Sequence, residues 1–489
     1  MIDNYKIHSV KYNFIMNIIM RISSFVFPLI TLPYITRTLG AAANGKVAFA
    51  TSVITYFSMF AQLGIPTYGI RECAKCRDNK EELTKTVQEL LIINGISVII
   101  SYFALLIAMI VVPKFQEEPL LLIIQSLTII LNMIGMDWLY QAIEQYQYIT
   151  VRNIAFKAIG LVLMFLLVHK PEDYILYNVI TVISSSGSYI LNFINSKKIL
   201  NQKFYVGQYE FKRHLKPIFV FFALSIAVSV YTSLDTVMLG FMSSDEEVAF
   251  YNLGTRIKMV LASTVSALGP VLLPRITFSL KNGEDDKFKY YIEESLHFVL
   301  LMAIPFTVYF TLLALQVIEI LGGSEYIPAT ECMQVINFTI IPLGVGNIAV
   351  QQILTPRGKE IYSMYSTICG AIIDFFINLL LIPHFGAAGA ALATVITEWV
   401  VAIMQIYYAW EDIRMAIKKL PYRTILLSNV VAAGVLWIML IVIPKFNAIL
   451  TLLITAVVYF IVYGSILLLM KDELVIDYGL PMLHRILRE

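Results

Sequence analysis

The sequence predicts an all-α, polytopic membrane protein with about fourteen transmembrane helices, and three observations support this prediction. Hydrophobic residues make up 58% of the chain and charged residues only 14%, whereas soluble domains average about 45–50% and 25%. The apolar residues form long blocks such as residues 449–470, which contain no charge. About 20 apolar residues are enough for a helix to cross a bilayer. The charged residues concentrate in short breaks between these blocks.

The blocks define fourteen candidate spans. Six precede a basic break near residues 195–216, six follow it, and a last pair comes near the C-terminus. The candidates cover residues 13–35, 46–65, 86–112, 119–143, 154–168, 174–194, 217–242, 248–274, 292–321, 329–353, 361–382, 387–408, 422–443 and 448–470. An even number of crossings predicts that both termini lie on one side of the membrane.

Lysine and arginine alternate between successive breaks. The poor set of breaks contains only Arg37, Lys46, Lys114, Lys170 and Lys445. The rich set contains the other loop cations, among them Arg71, Lys85, Arg152, Lys157, Lys212, Arg275 and Arg357. Because cytoplasmic loops carry the excess of positive charge, the pattern predicts that the rich breaks and both termini are cytoplasmic.

An internal repeat divides the chain. Leu39-Gly40 followed by Val47-Ala48-Phe49 recurs as Leu239-Gly240 followed by Val248-Ala249-Phe250. With an even number of spans in each copy, the repeats share one orientation, which is the parallel type found in transporters. The repeat predicts two pseudo-symmetric six-helix lobes around a central cavity, at residues 1–200 and 201–412. Residues 413–489 would hold helices thirteen and fourteen and a cytoplasmic tail.

Polar residues recur at helical spacing inside four repeat-related spans, which predicts that they face water. Span one carries Asn17 and Arg21, and span eight carries Asn252 and Arg256. The stripe of span two is Thr51, Thr55, Ser58 and Gln62, and the stripe of span seven is Ser225, Ser229, Thr232 and Thr236. We expect both stripes to face a cavity between the lobes.

Two arginines inside spans are the main candidates for ligand binding. An arginine at the bilayer centre costs roughly 2.5–3.5 kcal/mol, so it usually has a function. Arg21 and Arg256 are therefore interpreted as substrate-binding residues, with Asn17, Asn252 and Gln62 beside them. Lys258 is a further candidate, although it lies roughly 200° around the helix from Arg256. The alternative for each arginine is that its charge reaches the membrane surface or binds backbone carbonyls.

Four acidic residues inside spans could bind a coupling ion or act as counter-ions. They are Asp137, Asp235, Asp374 and Glu398. Asp235 is a candidate counter-ion for Arg256, and Asp374 and Glu398 could carry a proton or sodium ion. For each of the four, a structural ion pair or hydrogen bond is the alternative.

Several classes of function are excluded by what the sequence lacks. No Walker A, H-E-x-x-H or G-x-S-x-G pattern occurs, and every break is short. We therefore expect a transporter, not an enzyme, with no cofactor, no bound metal and no nucleic-acid partner. The single C-x-x-C motif, Cys73 to Cys76, lacks the further ligands of a zinc site and is interpreted as two reduced loop thiols.

Four motifs resemble those of Wzx-type polysaccharide flippases. They are PYITRTLG at 33–40, DWLYQAIE at 137–144, DTVMLG at 235–240 and GAAGAALAT at 386–394 followed by Glu398. The resemblance covers nearly the whole chain and implies the multidrug, oligosaccharidyl-lipid and polysaccharide exporter superfamily. That superfamily has two six-helix bundles in a V shape and works by alternating access.

The resemblance also implies a substrate and a location. Wzx-like members move an undecaprenyl-pyrophosphate-linked oligosaccharide from the inner to the outer leaflet of the bacterial cytoplasmic membrane. Capsule, O-antigen-like and teichoic-acid units all remain open. Related lipid II flippases place arginines on the first and eighth helices, at the positions of Arg21 and Arg256. The implied partners are the lipid-linked substrate, membrane lipids, H⁺ or Na⁺, and polymerase or ligase machinery around a monomer.

Two alternatives come from different classes. A cation-coupled multidrug exporter of the same fold would be expected to present acids in the first lobe, where span one presents Arg21. A membrane glycosyltransferase or polymerase would need a large outward loop with catalytic residues, and the outward breaks here are only a few residues long.

Overall fold

The computed structural model describes residues 9–201, 205–442 and 447–479, and all regular secondary structure in these ranges is helical. The predicted all-α class is confirmed. The α-helices are α1 Val10–Gln62, α2 Ile65–Lys75, α3 Lys80–Val111, α4 Pro113–Glu117, α5 Pro119–Gly135, α6 Asp137–Ala142, α7 Tyr146–Leu167, α8 Tyr174–Val182, α9 Tyr189–Ile199, α10 Lys212–Met242, α11 Asp245–Val265, α12 Leu268–Lys281, α13 Asp285–Leu312, α14 Ala314–Gly322, α15 Ala329–Ile336, α16 Ile340–Asn347, α17 Ile361–Tyr408, α18 Trp410–Lys419, α19 Tyr422–Val442 and α20 Ala448–Leu469.

Within the described residues, eleven stretches are long and apolar enough to cross a membrane. Two of them, Tyr12–Lys75 and Ile361–Tyr408, are 64 and 48 residues long, about twice the length that one crossing needs. Each is broken at a glycine with positive φ, Gly40 at 78° and Gly386 at 52°, a backbone conformation that glycine adopts at little cost. Counting each as two crossings makes thirteen.

The fourteenth predicted crossing corresponds to α11 and α12. This stretch is more polar than the other spans because α11 begins with three acids and carries Arg256 and Lys258. The protein is therefore a multi-pass membrane protein. Because α11 and α12 are not among the described stretches apolar enough to cross, the count of fourteen crossings stays a prediction. Lys445, residues 480–489 of the predicted tail and the last residue of predicted span thirteen lie outside the described residues.

Several helices extend further than their apolar blocks. The fifth span was predicted at 154–168, but α7 begins at Tyr146. Arg152 and Lys157 therefore lie on a helix that is long and apolar enough to cross the membrane. Their assignment to a loop was wrong, and their position relative to the cytoplasm stays a prediction. The physical reason is that both side chains find polar partners inside the protein. The loop assignment of Cys73 and Cys76 was also wrong, since both thiols are buried at the end of α2.

Contacts divide the chain into two compact units, residues 1–249 and 250–489. In the first, α1 packs against α3, α5, α7 and α10. In the second, α13 packs against α12, α16, α18 and α19, and α15 packs against α17. The predicted lobe boundary at residue 200 marks where the sequence repeat begins, whereas the two compact units divide between Ala249 and Phe250, within the first turns of α11. The boundary based on the repeat stays a prediction.

A buried polar cluster anchors the start of α10 in the first unit. Glu89 of α3 is fully buried, and its Oε2 accepts hydrogen bonds from Arg213 Nη2 and His214 Nε2, both at 2.7 Å. The backbone N–H of Glu210 donates to Oε1 at 2.6 Å. The other ring nitrogen of His214 lies 2.8 Å from the hydroxyl of Tyr68 on α2. The cluster holds α2, α3 and α10 together at one end of the unit.

Helices α19 and α20 are integral to the second unit. They pack against each other and form an apolar cluster with α13. The Tyr309 hydroxyl donates to the carbonyl oxygen of Leu452 at 2.8 Å, and the Tyr463 hydroxyl donates to that of Leu301 at 3.0 Å. These bonds satisfy polar groups that would otherwise be costly to bury in an apolar surrounding.

Candidate functional site

The polar face of α1 carries an arginine without an acidic partner. Arg21 is exposed, and its Nε donates to Asn17 Oδ1 one turn earlier at 3.2 Å. No carboxylate in the described part of the chain lies within ion-pair distance of Arg21. The predicted pairing of Asn17 and Arg21 on one helix face is therefore present, with most of the guanidinium available to a ligand.

Lys157 is a basic residue near Arg21 that the sequence reasoning missed. Its ammonium donates to Ser24 Oγ at 2.8 Å and to Ser23 Oγ at 3.3 Å. Ser24 follows Arg21 by three residues, which is about one helical turn. Lys157 forms no ion pair among the described residues. The faces of α1 and α7 thus carry two positive charges whose hydrogen-bond partners in the described part of the chain are amide and hydroxyl oxygens, about one helical turn apart along α1.

The second unit carries Arg256 on α11. Its side chain is exposed, and within the described ranges it takes part in no ion pair. Asn252 precedes it by one turn and is half-buried, as is Lys258. The spacing puts Asn252 and Arg256 on one helix face, while Lys258 points away from that face.

A polar cavity of about 430 Å³ lies within the first unit. We call it the unit 1 cavity. Gln62 lines it, together with most of the two polar stripes predicted for spans two and seven. The polar lining is Thr51, Thr55, Ser58, Gln62 and Thr67 with Gln125, Thr128, Asn132, Ser225 and Ser229. The stripes were expected to face a cavity between the predicted lobes, and Ser225 and Ser229 of the predicted second lobe do line this cavity with residues of the first. By contacts, all of these residues belong to the first unit.

The unit 1 cavity has no charged lining. None of its lining residues is aspartate, glutamate, lysine, arginine or histidine. Three of them, Gln125, Thr128 and Asn132, come from α5, which the sequence reasoning did not single out. Their spacing of three and four residues was a readable signal of a polar helix face. The lining can exchange hydrogen bonds with a polar ligand but provides no counter-charge to an ion.

Two of the predicted acids have clear partners. Asp137 Oδ1 forms an ion pair with Arg152 Nη2 at 2.8 Å and accepts a hydrogen bond from Asn192 Nδ2 at 2.8 Å. Asp137 thus forms a structural ion pair with buried Arg152, which is the alternative considered for this acid. In the second unit, buried Asp374 accepts hydrogen bonds from Asn378 Nδ2 at 2.9 Å and Thr397 Oγ1 at 3.2 Å.

The other two acids, Asp235 and Glu398, are buried on α10 and α17. Glu398 directly follows Thr397, which donates to Asp374. Asp374 and Glu398 therefore both lie on α17, one on each side of its break at Gly386. Buried acids of this kind inside spans are typical of ion pathways or of structural hydrogen bonding. A coupling-ion role for any of them stays a prediction.

The chain matches the family described as "Polysaccharide biosynthesis protein" over residues 10–279, which is more than half of its length. The chain belongs to this family. A second family description, "MatE", matches residues 221–380. The "Putative O-antigen transporter" of Escherichia coli (strain K12) is 23% identical over 405 residues, 82% of this chain and 96% of that protein. The resemblance to Wzx-type flippases is confirmed.

Solved structures of the wider superfamily share the fold of this polysaccharide biosynthesis family member. A lipid II flippase MurJ in an inward closed conformation superposes with a TM-score of 0.74 at 16% identity, covering 94% of this chain and all of that one. An inward-facing multidrug resistance MATE family transporter gives 0.61 at 14% identity, covering 80% and 96%. At these identities the likeness concerns the fold.

Proposed function

We propose that this protein is a flippase that moves an undecaprenyl-pyrophosphate-linked oligosaccharide from the inner to the outer leaflet of a bacterial cytoplasmic membrane by alternating access. It transports its substrate without chemical conversion. The proposal is supported by membership in the polysaccharide biosynthesis family and by relatives named as O-antigen transporters.

The single observation that carries the proposal is that each unit has an exposed arginine on a helix predicted to cross the membrane, Arg21 on α1 and Arg256 on α11. Neither Arg21 nor Arg256 has an acidic partner among the described residues, so each is an uncompensated charge in a costly location. A pyrophosphate would supply the missing anions, because guanidinium groups bind phosphate oxygens through paired, charge-assisted hydrogen bonds. Lys157 would add a second cation to the anion-binding face of the first unit, which carries Arg21.

A multidrug exporter of the same fold is the second candidate, because the MatE match covers residues 221–380. Export of cationic drugs would favour an exposed acid in the first unit. The first unit instead presents Arg21 on α1 and Lys157 on α7. Two positive charges favour an anionic headgroup. We therefore rank the flippase first.

The buried acids provide candidates for coupling. Asp235, Asp374 and Glu398 could bind H⁺ or Na⁺, and a gradient of either ion would then drive the cycle. The proposed partners are the lipid-linked substrate, membrane lipids and the polymerase or ligase machinery that uses the flipped product. The positive-inside pattern supports cytoplasmic termini.

Complementation of a strain that lacks its polysaccharide flippase tests the proposal. Arg21→Gln and Arg256→Gln should each abolish complementation at normal protein levels, and the lysine variants should retain part of it, because lysine still binds phosphate as a point charge. Arg414→Gln is a matched control, since this exposed arginine lies on α18 outside the spans. Full activity of the Arg21→Gln, Arg256→Gln double variant would refute the arginine mechanism.

A further inference from the structure

The hydroxyl groups of the unit 1 cavity are turned toward their own helices. Thr51 and Thr55 of α1 donate to the carbonyl oxygens of the residues four positions earlier, both at 2.8 Å. Ser225 does the same on α10 at 3.0 Å, and Thr128 donates to the carbonyl oxygen of Gln125 at 2.7 Å. A hydroxyl has one proton and two lone pairs. These four side chains therefore present acceptors, not donors, to the cavity.

Gln125 adds an acceptor that lacks a partner among the described residues. The residue is only 8% exposed, and its buried Oε1 accepts no hydrogen bond from any of them. Because Gln125 lines the cavity, a rotation of its side chain would bring Oε1 to a ligand that donates a hydrogen bond, and this would satisfy an otherwise costly buried group. On α1, Gln62 Nε2 donates to Ser58 Oγ at 3.0 Å, which leaves the Gln62 Oε1 as another available acceptor.

The balance of donors and acceptors defines the ligand. An acceptor-rich lining suits a molecule with many hydroxyl or amide protons. A carboxylate or phosphate here would lose water without gaining a counter-charge, which is costly. Ser229, Thr67 and Asn132 still have protons for ligand oxygens such as an acetamido carbonyl. A volume of about 430 Å³ falls within the usual range of small-molecule sites, about 300–1,000 Å³.

We infer that the unit 1 cavity is a carbohydrate subsite selective for uncharged sugars, separate from the cations that take the pyrophosphate. This inference rests on the proposed function and deepens it, because it names the class of sugar carried. Sites that hydrogen-bond a specific group discriminate strongly against ligands that leave it unpaired. Hexoses and N-acetylhexosamines fit the lining, and uronic acids at the same position do not.

The test uses the purified full-length protein in proteoliposomes and two fluorescent undecaprenyl-pyrophosphate disaccharides. One carries N-acetylglucosamine and glucose, and the other has glucuronic acid in place of glucose. Flipping is followed by the loss of fluorescence to a membrane-impermeant reductant. We expect the wild type to flip the neutral probe at least tenfold faster. Gln125→Leu and Gln62→Leu should slow the neutral probe tenfold or more, and the loop variant Gln208→Leu should not.

Two further variants keep the test decisive if Gln125→Leu is unstable. Thr55→Val and Ser229→Lys change groups at the open part of the cavity. Thr55→Val should slow flipping of the neutral probe. Ser229→Lys should raise the flipping rate of the glucuronic acid probe relative to that of the neutral probe. Equal wild-type rates for both probes, with Gln125→Leu and Thr55→Val unchanged, would overturn the subsite and leave the flippase function intact. If neither probe is flipped above protein-free vesicles, the proposed function fails instead.

A cationic dye such as ethidium distinguishes the remaining ligand class, because acceptors also suit cations. We expect no transport of ethidium and no inhibition of flipping by it. Ethidium transport that depends on Gln125 would overturn the carbohydrate assignment.

Discussion

Lys157 places a positive charge in the middle of α7, held by two serine hydroxyls of α1. If it contacts the pyrophosphate, Lys157→Met should raise the KM for a lipid-linked substrate tenfold or more. A charge-assisted hydrogen bond contributes about 1.5–3 kcal/mol, and about 1.4 kcal/mol corresponds to tenfold in affinity. Lys157→Arg should retain most activity. The measurement is the concentration dependence of flipping in proteoliposomes.

Lys418→Met is the control for this prediction. Lys418 is exposed on α18 and forms no ion pair within the described residues, so the same substitution there should leave KM unchanged. An unchanged KM for Lys157→Met would mean that this lysine only ties α7 to α1.

The sequence identified part of the site because some polar residues recur at helical spacing within apolar blocks. Arg21, Arg256 and Gln62 were found in this way. Lys157 was missed because a lysine near the end of a short apolar block was assigned to a loop. Gln125 was missed because its stripe with Thr128 and Asn132 carries no charge and was not singled out. That its Oε1 lacks a partner among the described residues is visible only once the neighbouring helices are in place.

The Glu89 cluster is the polar feature that joins α3 to α10. Removing one partner of a buried ion pair typically costs about 3–5 kcal/mol. We expect Glu89→Ala to lower the free energy of unfolding by about 3 kcal/mol, the low end of this range. The reason is that the Arg213 side chain is 34% exposed and can regain water. The measurement is thermal unfolding of the purified protein in detergent, where Glu89→Ala should lower the midpoint.

Glu210→Ala is the matched control, since this carboxylate is paired with Lys85 at 2.8 Å and is 61% exposed. Exposed ion pairs contribute little, so the unfolding midpoint should stay at the wild-type value. A Glu89→Ala protein as stable as the wild type would show that the cluster does not anchor α10.

Helix positions were predictable because the apolar blocks match the bilayer thickness, but helix ends were not. The predicted breaks at 36–45 and 383–386 contain Gly40 and Gly386. In each break only the glycine has non-helical φ/ψ, and the chain is helical on both sides of it. At the start of α3, Asn79 Oδ1 accepts hydrogen bonds from the backbone N–H groups of Glu81 and Glu82. This cap begins the helix at Lys80, six residues before its apolar block, so hydropathy alone places the boundary too late.

At the scale of the whole molecule, the proposed orientation and substrate charge together predict the driving force. The proposed pyrophosphate substrate would carry at least two negative charges outward, while the arginines stay with the protein. Moving one charge through the membrane potential is worth about 2.3 kcal/mol per 100 mV. With the interior negative, two charges contribute roughly 4.6 kcal/mol at 100 mV in the outward direction. The membrane potential alone can therefore bias the flip, with ion coupling as an addition.

Flipping of a fluorescent undecaprenyl-pyrophosphate oligosaccharide in proteoliposomes, with and without an imposed potential at constant pH and sodium gradients, tests the central claim most directly. We predict that the wild type flips the probe faster than protein-free vesicles, that a potential negative on the donor side increases the rate, and that the Arg21→Gln, Arg256→Gln variant loses both effects. Wild-type vesicles that flip no more probe than protein-free vesicles would contradict the flippase. Flipping that ignores the potential and follows the proton or sodium gradient would instead assign the driving force to the buried acids.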